Sequence, residues 1–370
     1  TATFTVNTTA VGSAVTATIT GTYNGTQTAV LTINPPALAS VAMSPVSVTG
    51  GGSSTGTVTL TGVAPTGGTV VTLSDDSASS TTPASVTVAA GSTTATFTVT
   101  TVAVGTNTTV TISGTLSGVT QTATLTINAP TLSNLTMSLA SVVGGASSTG
   151  TVTLSSAAPT GGAVVTLSDD SAFSTTPASV TVTAGATTAT FTVTTTGVPA
   201  ITTVTITGTF NAAKTASLTI NPPTLSSVSV SPTAVVGGNG STGTVTLGSI
   251  APVGGAVVTL SSNNAAATVP ANVTVASGAT TATFAITTGG VSAATPITIT
   301  GTYDVPKTAT LTVNPAALTS VAMSPTAVTG GVSSTGTVTL TGFAPAGGAV
   351  VTLSSNNVNA TTPATVTVPA

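Results

Sequence analysis

The chain has 370 residues and a formal net charge of −3, with two basic and five acidic side chains: Lys214, Lys307, Asp75, Asp76, Asp169, Asp170 and Asp304. Because Arg is absent, phosphate groups would find almost no cationic partners, which excludes nucleic acid and argues against anionic membrane surfaces. No apolar run approaches the roughly 18 residues of a membrane-spanning helix, so we expect no membrane insertion. Cysteine is absent, so disulfides cannot form.

The remaining composition predicts a folded β protein whose copies associate. Thr and Val are abundant, and these β-branched residues favour strands. Charged residues make up 2% of the chain, against about 25% in an ordinary soluble domain. A surface with so little charge repels its own copies weakly. Two interpretations stay open: a surface wetted only by hydroxyl groups, or a surface covered by further copies.

A long repeat organises the whole chain. The segment Leu-Thr-Ile-Asn begins at residues 31, 125 and 218, and Leu-Thr-Val-Asn begins at 311, in steps of 94, 93 and 93 residues. Such a period is long enough for each copy to bury a core of its own. We therefore predict complete domains at 35–128, 129–221 and 222–314. Residues 1–34 match the C-terminal part of a domain, and residues 315–370 match the N-terminal part.

The first complete copy predicts seven strands in chain order. The turn signals between them are Ala64–Gly68 and the glycine turn at Gly91, where Pro fixes φ and Gly accepts positive φ. This spacing is typical of an all-β, antiparallel sandwich. The predicted strands are Leu38–Met43 with its continuation Val46–Val48, Thr55–Thr61, Val70–Leu73, Val86–Val88, Thr94–Thr100, Val110–Ser113 and Thr122–Ile127.

The copies are joined by short segments that contain proline, such as Asn34-Pro35-Pro36 and Asn221-Pro222-Pro223. Proline removes backbone freedom and favours extended geometry. Links this short and stiff predict a rod of domains placed end to end.

The repeated motifs resemble the tandem immunoglobulin-like domains of bacterial surface and secreted proteins. They are Gly-Thr-Val-Thr-Leu at 56–60, Gly-Gly-x-Val-Val-Thr-Leu at 67–73 and Pro-Ala-x-Val-Thr-Val at 83–88. Each motif recurs in the three complete copies and in the partial copy at 315–370. The resemblance implies seven-stranded immunoglobulin-like sandwiches at the cell surface or outside the cell, in stalks, spacers and adhesins. The Cys and Trp of antibody domains are absent, so only the architecture carries over.

No residues form a recognisable catalytic, metal or cofactor motif. The acidic pairs Asp75-Asp76 and Asp169-Asp170 are matched with Asn263-Asn264 and Asn356-Asn357, and a turn role explains both kinds of residue. Acid–base catalysis needs a group that titrates near the working pH, and His, Glu and Cys are absent. We expect no enzyme activity, no catalytic, cofactor-binding or metal-binding residues, and no cofactor.

The aromatic residues are assigned to the core. Phe4, Phe97, Phe191 and Phe284 recur at one position of the repeat. A single aromatic on an apolar strand face usually packs inside. Exposed aromatics could instead bind carbohydrate, and whether glycans are bound or attached stays open.

Three functions are compatible with these observations. The first is a structural component of an extracellular filament or sheath that self-associates head to tail; the others are an adhesin stalk and spacer modules of a secreted enzyme. In the filament, residues 315–370 and residues 1–34 would together make one sandwich. The residues missing between them correspond to the turn Gly91-Ser92-Thr93. The two pieces belong either to separate subunits or to one longer chain.

Overall fold

The computed structural model describes residues 1–370, and all of its regular elements are β-strands. The N-terminal segment forms one antiparallel hairpin, β1 (Val15–Thr22) and β2 (Thr26–Ile33), with no strand before Val15. Three complete domains follow, with the same order of strands in each. No helix of the length and apolarity needed to cross a membrane is present.

Each complete domain has nine strands. In the first they are β3 (Leu38–Ser44), β4 (Ser47–Thr49), β5 (Ser53–Leu60), β6 (Thr69–Asp75), β7 (Ser80–Thr81), β8 (Ser85–Val88), β9 (Thr94–Thr101), β10 (Thr108–Leu116) and β11 (Val119–Asn128). The second has β12 (Leu132–Met137), β13 (Ser141–Val143), β14 (Ser147–Leu154), β15 (Ala163–Asp169), β16 (Ser174–Thr175), β17 (Ser179–Val182), β18 (Thr188–Thr195), β19 (Thr202–Thr209) and β20 (Ala213–Asn221). The third has β21 (Leu225–Ser231), β22 (Ala234–Val236), β23 (Ser241–Leu247), β24 (Ala256–Ser262), β25 (Ala267–Thr268), β26 (Asn272–Val275), β27 (Thr281–Thr288), β28 (Thr295–Thr302) and β29 (Lys307–Asn314).

The nine strands form two facing sheets. In the first domain the order is β3-β5-β9-β7 in a four-stranded sheet and β4-β11-β10-β6-β8 in a five-stranded sheet. Neighbours are antiparallel except β4, which runs parallel to β11. This two-sheet order is that of an immunoglobulin-like sandwich, so the predicted all-β class is confirmed.

The number of strands differs from the seven that the sequence predicts. The first predicted strand is two strands, because the chain leaves one sheet after Ser44 and joins the other at Ser47. The two-residue strand β7 lies in a segment that carries no apolar alternation. The short predicted strand at Val110–Ser113 extends to Thr108–Leu116, because its hairpin with β11 continues to the turn at Ser117 and Gly118.

A hydroxyl group fixes the point where the first strand changes sheets. Ser54 is buried, and its Oγ donates to the carbonyl oxygen of Pro45 at 2.6 Å. The same bond joins Ser148 to Leu139 in the second domain at 2.9 Å. The buried serine hydroxyl thereby finds a hydrogen-bond partner at the break in the sheet.

The core of each domain lies between its two sheets. The buried residues form three separate clusters, within residues 38–127, 132–220 and 225–313. Side chains alternate between the core and the surface along strand β5, where Val58 and Leu60 are buried while Thr55 is exposed. This alternation follows from the two-residue period of a strand.

The C-terminal segment contains two separate antiparallel strand pairs instead of a sandwich. They are β30 (Leu318–Ser324) with β31 (Thr335–Leu340), and β32 (Ala349–Thr352) with β33 (Thr365–Val368). Their registers repeat those of β3 with β5 and of β6 with β8.

Candidate functional site: open sandwich faces and interdomain joints

The carboxylates bind backbone amides inside each domain. Asp76 Oδ1 accepts from the Thr111 amide at 2.9 Å, and Asp170 Oδ1 accepts from the Thr205 amide at 2.8 Å. These hydrogen bonds lower the pKa of both carboxyl groups, because they stabilise the charged form. Each bond ties the loop after one strand to a second strand of the same sheet.

The amide counterpart of Asp76 is Asn263 alone, which corrects the matching of the acidic pairs with Asn263-Asn264. Asn263 Oδ1 accepts from the Thr298 amide at 2.9 Å, again 35 residues further along the chain. The position of Asp75 therefore corresponds to Ser262. A neutral amide oxygen and a carboxylate make the same bond, so the bond does not require charge.

The third shifted carboxyl group caps the start of a domain. Burial raises the pKa of Asp304, but hydrogen bonds from the Leu225 and Val305 amides oppose this, and the pKa lies below its usual value. Asp304 Oδ1 accepts from Leu225 at 2.8 Å. The five Asp and two Lys are dispersed, and no three acidic groups lie together as metal ligands would.

The recurring phenylalanine packs on a glycine in the opposite strand. Phe191 is directly opposite Gly150, and a Cβ placed on Gly150 would lie 2.6 Å from both Cε atoms of the ring. Phe97 and Phe284 cover Gly56 and Gly243 in the same way. The core assignment of these three rings is confirmed by their burial. Sequence reasoning missed the glycines, although an isolated glycine in a strand pattern signals close backbone approach.

The counterparts of this Phe–Gly pair in the two end segments, Phe4 and Gly336, do not contact each other. Phe4 is 77% exposed, whereas Phe97 is 6% exposed. Gly336 occupies the position of Gly56, and a Cβ placed on it would approach only the Met323 side chain, with Sδ at 3.4 Å. The prediction of a core position for Phe4 is therefore wrong for this segment as it stands.

A second contact of a glycine, between Gly114 and strand β3, is also missing in the end segments. A Cβ on Gly114, in β10, would lie 2.9 Å from Val41 and 3.5 Å from Leu38, both in β3. The counterpart in the N-terminal segment, Gly21, has nothing within 4 Å of such a Cβ.

Consecutive domains meet through the loop that precedes an Ala-Pro pair. Ile250 packs on Gly145 of the preceding domain, where an added Cβ would lie 2.8 Å from Ile250 Cδ1. Phe343 packs in the same way on Gly238, and its amide donates to the Gly237 carbonyl at 2.8 Å. Glycine is required at these turns by positive φ, 94° at Gly145, as well as by the contact.

The joint between the first and second domains is built differently. The residue before the Ala-Pro pair is Ala157, and the turn glycine Gly51 has no atom within 4 Å of a Cβ position. Polar bonds replace the apolar contact: Asn211 Nδ2 donates to the Gly105 carbonyl at 3.3 Å, and the Ala129 amide donates to Asn107 Oδ1 at 2.9 Å.

The comparisons with known proteins concern solved structures only. No protein-family model and no curated protein matches the chain. The chain is similar to the D0-D1 domain of intimin, at 15% identity and a TM-score of 0.23, over 50% of this chain and 99% of that one. It is similar to titin domains I67–I69, at 12% identity and a TM-score of 0.29, over 76% and 98%. It is also similar to the Yersinia pseudotuberculosis adhesin InvE, at 20% identity and a TM-score of 0.31, over 50% and 60%.

Proposed function

We propose that the protein is a structural component of an extracellular filament or sheath and assembles head to tail through its immunoglobulin-like domains. The observation that carries the proposal is the near absence of charge, since charged residues make up 2% of the chain.

The surface composition supports assembly over a free stalk. Seven charged side chains spread over 370 residues give little repulsion between copies. We place this assembly outside the cell, at the cell surface or in a matrix, as the resemblance of the repeats to those of surface and secreted proteins implies. A contact between opposite ends of two copies is heterologous and does not close, so it propagates.

Electron microscopy of negatively stained protein tests the proposal. Four domain equivalents of roughly 35–40 Å each would give a filament with an axial repeat of roughly 140–160 Å. Sedimentation velocity over a hundredfold range of concentration should show growing species. A chain that remains a monomer throughout that range would contradict the proposal.

An adhesin stalk or spacer is the second candidate function. The joints favour it, because Ile250 and Phe343 hold successive domains in contact without any assembly. Monomers that are extended in small-angle scattering, with no growth in length at high concentration, would support this candidate against the filament.

A further inference from the structure

We infer that the joint between the first and second domains is a hinge, whereas the joint between the second and third domains holds one angle. We call them the first joint and the second joint. The inference goes beyond the proposed function, because it holds for a filament subunit and for a stalk alike. Three positions of the repeat carry different residues at the two joints: Ala103, Ala129 and Ala157 at the first, and Gly197, Pro222 and Ile250 at the second.

The first of these positions is an alanine at the first joint and a glycine at the second. A Cβ on Gly50 would lie 2.7 Å from the Cα atom of Ala103. A Cβ on Gly144 would lie 2.8 Å from the Cα atom of Gly197, so Ala103 and Gly197 are counterparts.

The missing side chain of Gly197 lets the next domain approach closely. A Cβ placed on Gly197 would lie 2.7 Å from the carbonyl oxygen of Ala251, in the third domain. Even a C–H···O contact keeps carbon and oxygen about 3.3 Å or more apart. The methyl group of Ala103 therefore excludes, at the first joint, the close approach that Gly197 allows at the second.

The second position lies on the loop of the following domain that faces the joint. At the second joint it is Ile250, whose Cδ1 and Cγ1 atoms lie 2.8 Å from a Cβ position on Gly145. At the first joint it is Ala157, and the Cβ position of Gly51 has no atom within 4 Å. The branched side chain fills a contact that the smaller alanine leaves open. Domains that share little apolar contact move relative to each other.

The third position lies in the link between the domains. The link is Asn221-Pro222-Pro223 at the second joint and Asn128-Ala129-Pro130 at the first. Each proline ring fixes φ, so the first link has one more free φ angle than the second. The Ala129 amide donates to Asn107 Oδ1 at 2.9 Å, but this bond is exposed, and water competes for both groups.

The direct hydrogen bond across the first joint does not replace the missing contact. Asn211 Nδ2 donates to the Gly105 carbonyl at 3.3 Å, and the bond is exposed. An N–H···O bond is usually about 2.9–3.0 Å long. Because water competes for both groups, the bond opens at little net cost in free energy when the joint bends.

The joint after the third domain repeats the construction of the second joint. Gly290 lies against the carbonyl group of Ala344, and Phe343 packs on Gly238. Pro315 begins the link, at the position of Pro222. The first joint is therefore the exception among the three, and bending is concentrated there.

Double electron–electron resonance of the spin-labelled full chain measures the two joints with matched labels. Thr98, Thr192 and Ala285 are exposed and share one position of the repeat, directly after the buried phenylalanine. Labels at Thr98→Cys and Thr192→Cys span the first joint, and labels at Thr192→Cys and Ala285→Cys span the second. The natural chain has no cysteine, and an excess of unlabelled chain removes distances between copies. The distance distribution across the first joint should be at least about twice as wide as that across the second.

Exchange of residues between the joints tests the cause. Ala103→Gly with Ala157→Ile gives the first joint residues of the second and should narrow its distribution by about 1.5-fold or more. Gly197→Ala with Ile250→Ala makes the reverse exchange and should widen the distribution across the second joint by a similar factor. Alanine is compatible with the fold at position 197, because the first domain carries it. Val253→Ala is the control, since this side chain of the same loop is 76% exposed, and it should leave the width unchanged.

Two results would overturn the inference. Equal widths across both joints of the natural chain would exclude the hinge. Unequal widths that do not respond to the exchanged residues would exclude its assignment to these positions. Calorimetry of each variant should show the three domains melting as in the natural chain, which separates a freer joint from local unfolding. Neither result bears on assembly, which sedimentation decides separately.

Discussion

The packing of Phe191 on Gly150 makes a quantitative prediction about the second domain. The variant Gly150→Ala places a methyl carbon 2.6 Å from two ring carbons, where unstrained carbon atoms lie about 3.5–4.0 Å apart. The ring cannot move freely, because it is 6% exposed and surrounded by the core. We expect an overpacking cost of about 1–3 kcal/mol. For a domain of this size, each kcal/mol lowers Tm by about 4–8 °C.

Differential scanning calorimetry of the full chain measures this shift. The first and third domains are internal standards, because their own Phe–Gly pairs are unchanged. Gly105→Ala is the control for a glycine that has room for a methyl group. The variant Phe191→Ala alone should cost about 3–5 kcal/mol through the cavity it leaves.

The double variant Gly150→Ala, Phe191→Ala decides the reasoning. Without the ring, alanine should be tolerated at position 150 and should even gain about 0.5–1 kcal/mol over glycine in a strand. The two substitutions should therefore be non-additive by roughly 1.5–4 kcal/mol, the sum of the relieved overpacking and this gain. Costs that simply add would show that the ring and the glycine do not depend on each other.

Three further predictions concern hydrogen bonds, pH and the joints. Ser148→Ala removes the buried hydroxyl that donates to the Leu139 carbonyl and should destabilise the second domain by about 0.5–1.5 kcal/mol in calorimetry; an unchanged Tm would mean that water replaces the hydroxyl. Because the folded-state pKa of Asp170 is lowered, its contribution to stability is present above the unfolded pKa of about 3.9 and is lost as pH falls through the folded pKa. Tm should thus be nearly constant from about pH 5 to 9 and fall below about pH 4, and Asp170→Asn, which keeps the bond as Asn263 does, should reduce the acid sensitivity of the second domain; an unchanged acid transition would assign that sensitivity to other groups. Ile250→Ala should broaden the distribution of distances between spin labels on the second and third domains, with Tm unchanged, whereas an unchanged distribution would show that the joint does not depend on this side chain.

The sequence predicts most of the fold because the residues that indicate each strand lie within that strand or in the turns beside it. Alternation places Val58 and Leu60 on one face, and prolines and glycines mark the turns. The repeat strengthens each prediction, because a motif that indicates a strand or turn in one copy recurs in the next copy. These features are local, and local spacing is enough to recognise them.

The features that the sequence did not predict depend on partners distant in the chain. The change of sheet between β3 and β4 is visible only when β11, about eighty residues away, is beside β4. The match of Asp76 with Asn263 is fixed by an amide 35 residues further along the chain, not by the neighbouring acid. Strand β7 has two residues and no periodicity that a sequence could display.

The glycine positions opposite the buried phenylalanines fix the strand register within each complete domain. A domain that packs a phenylalanine on the backbone of a facing strand has a contact that works in one register only, because a shift by one residue places the ring against a Thr side chain. Inside the complete domains, that contact selects the pairing of β5 with β9.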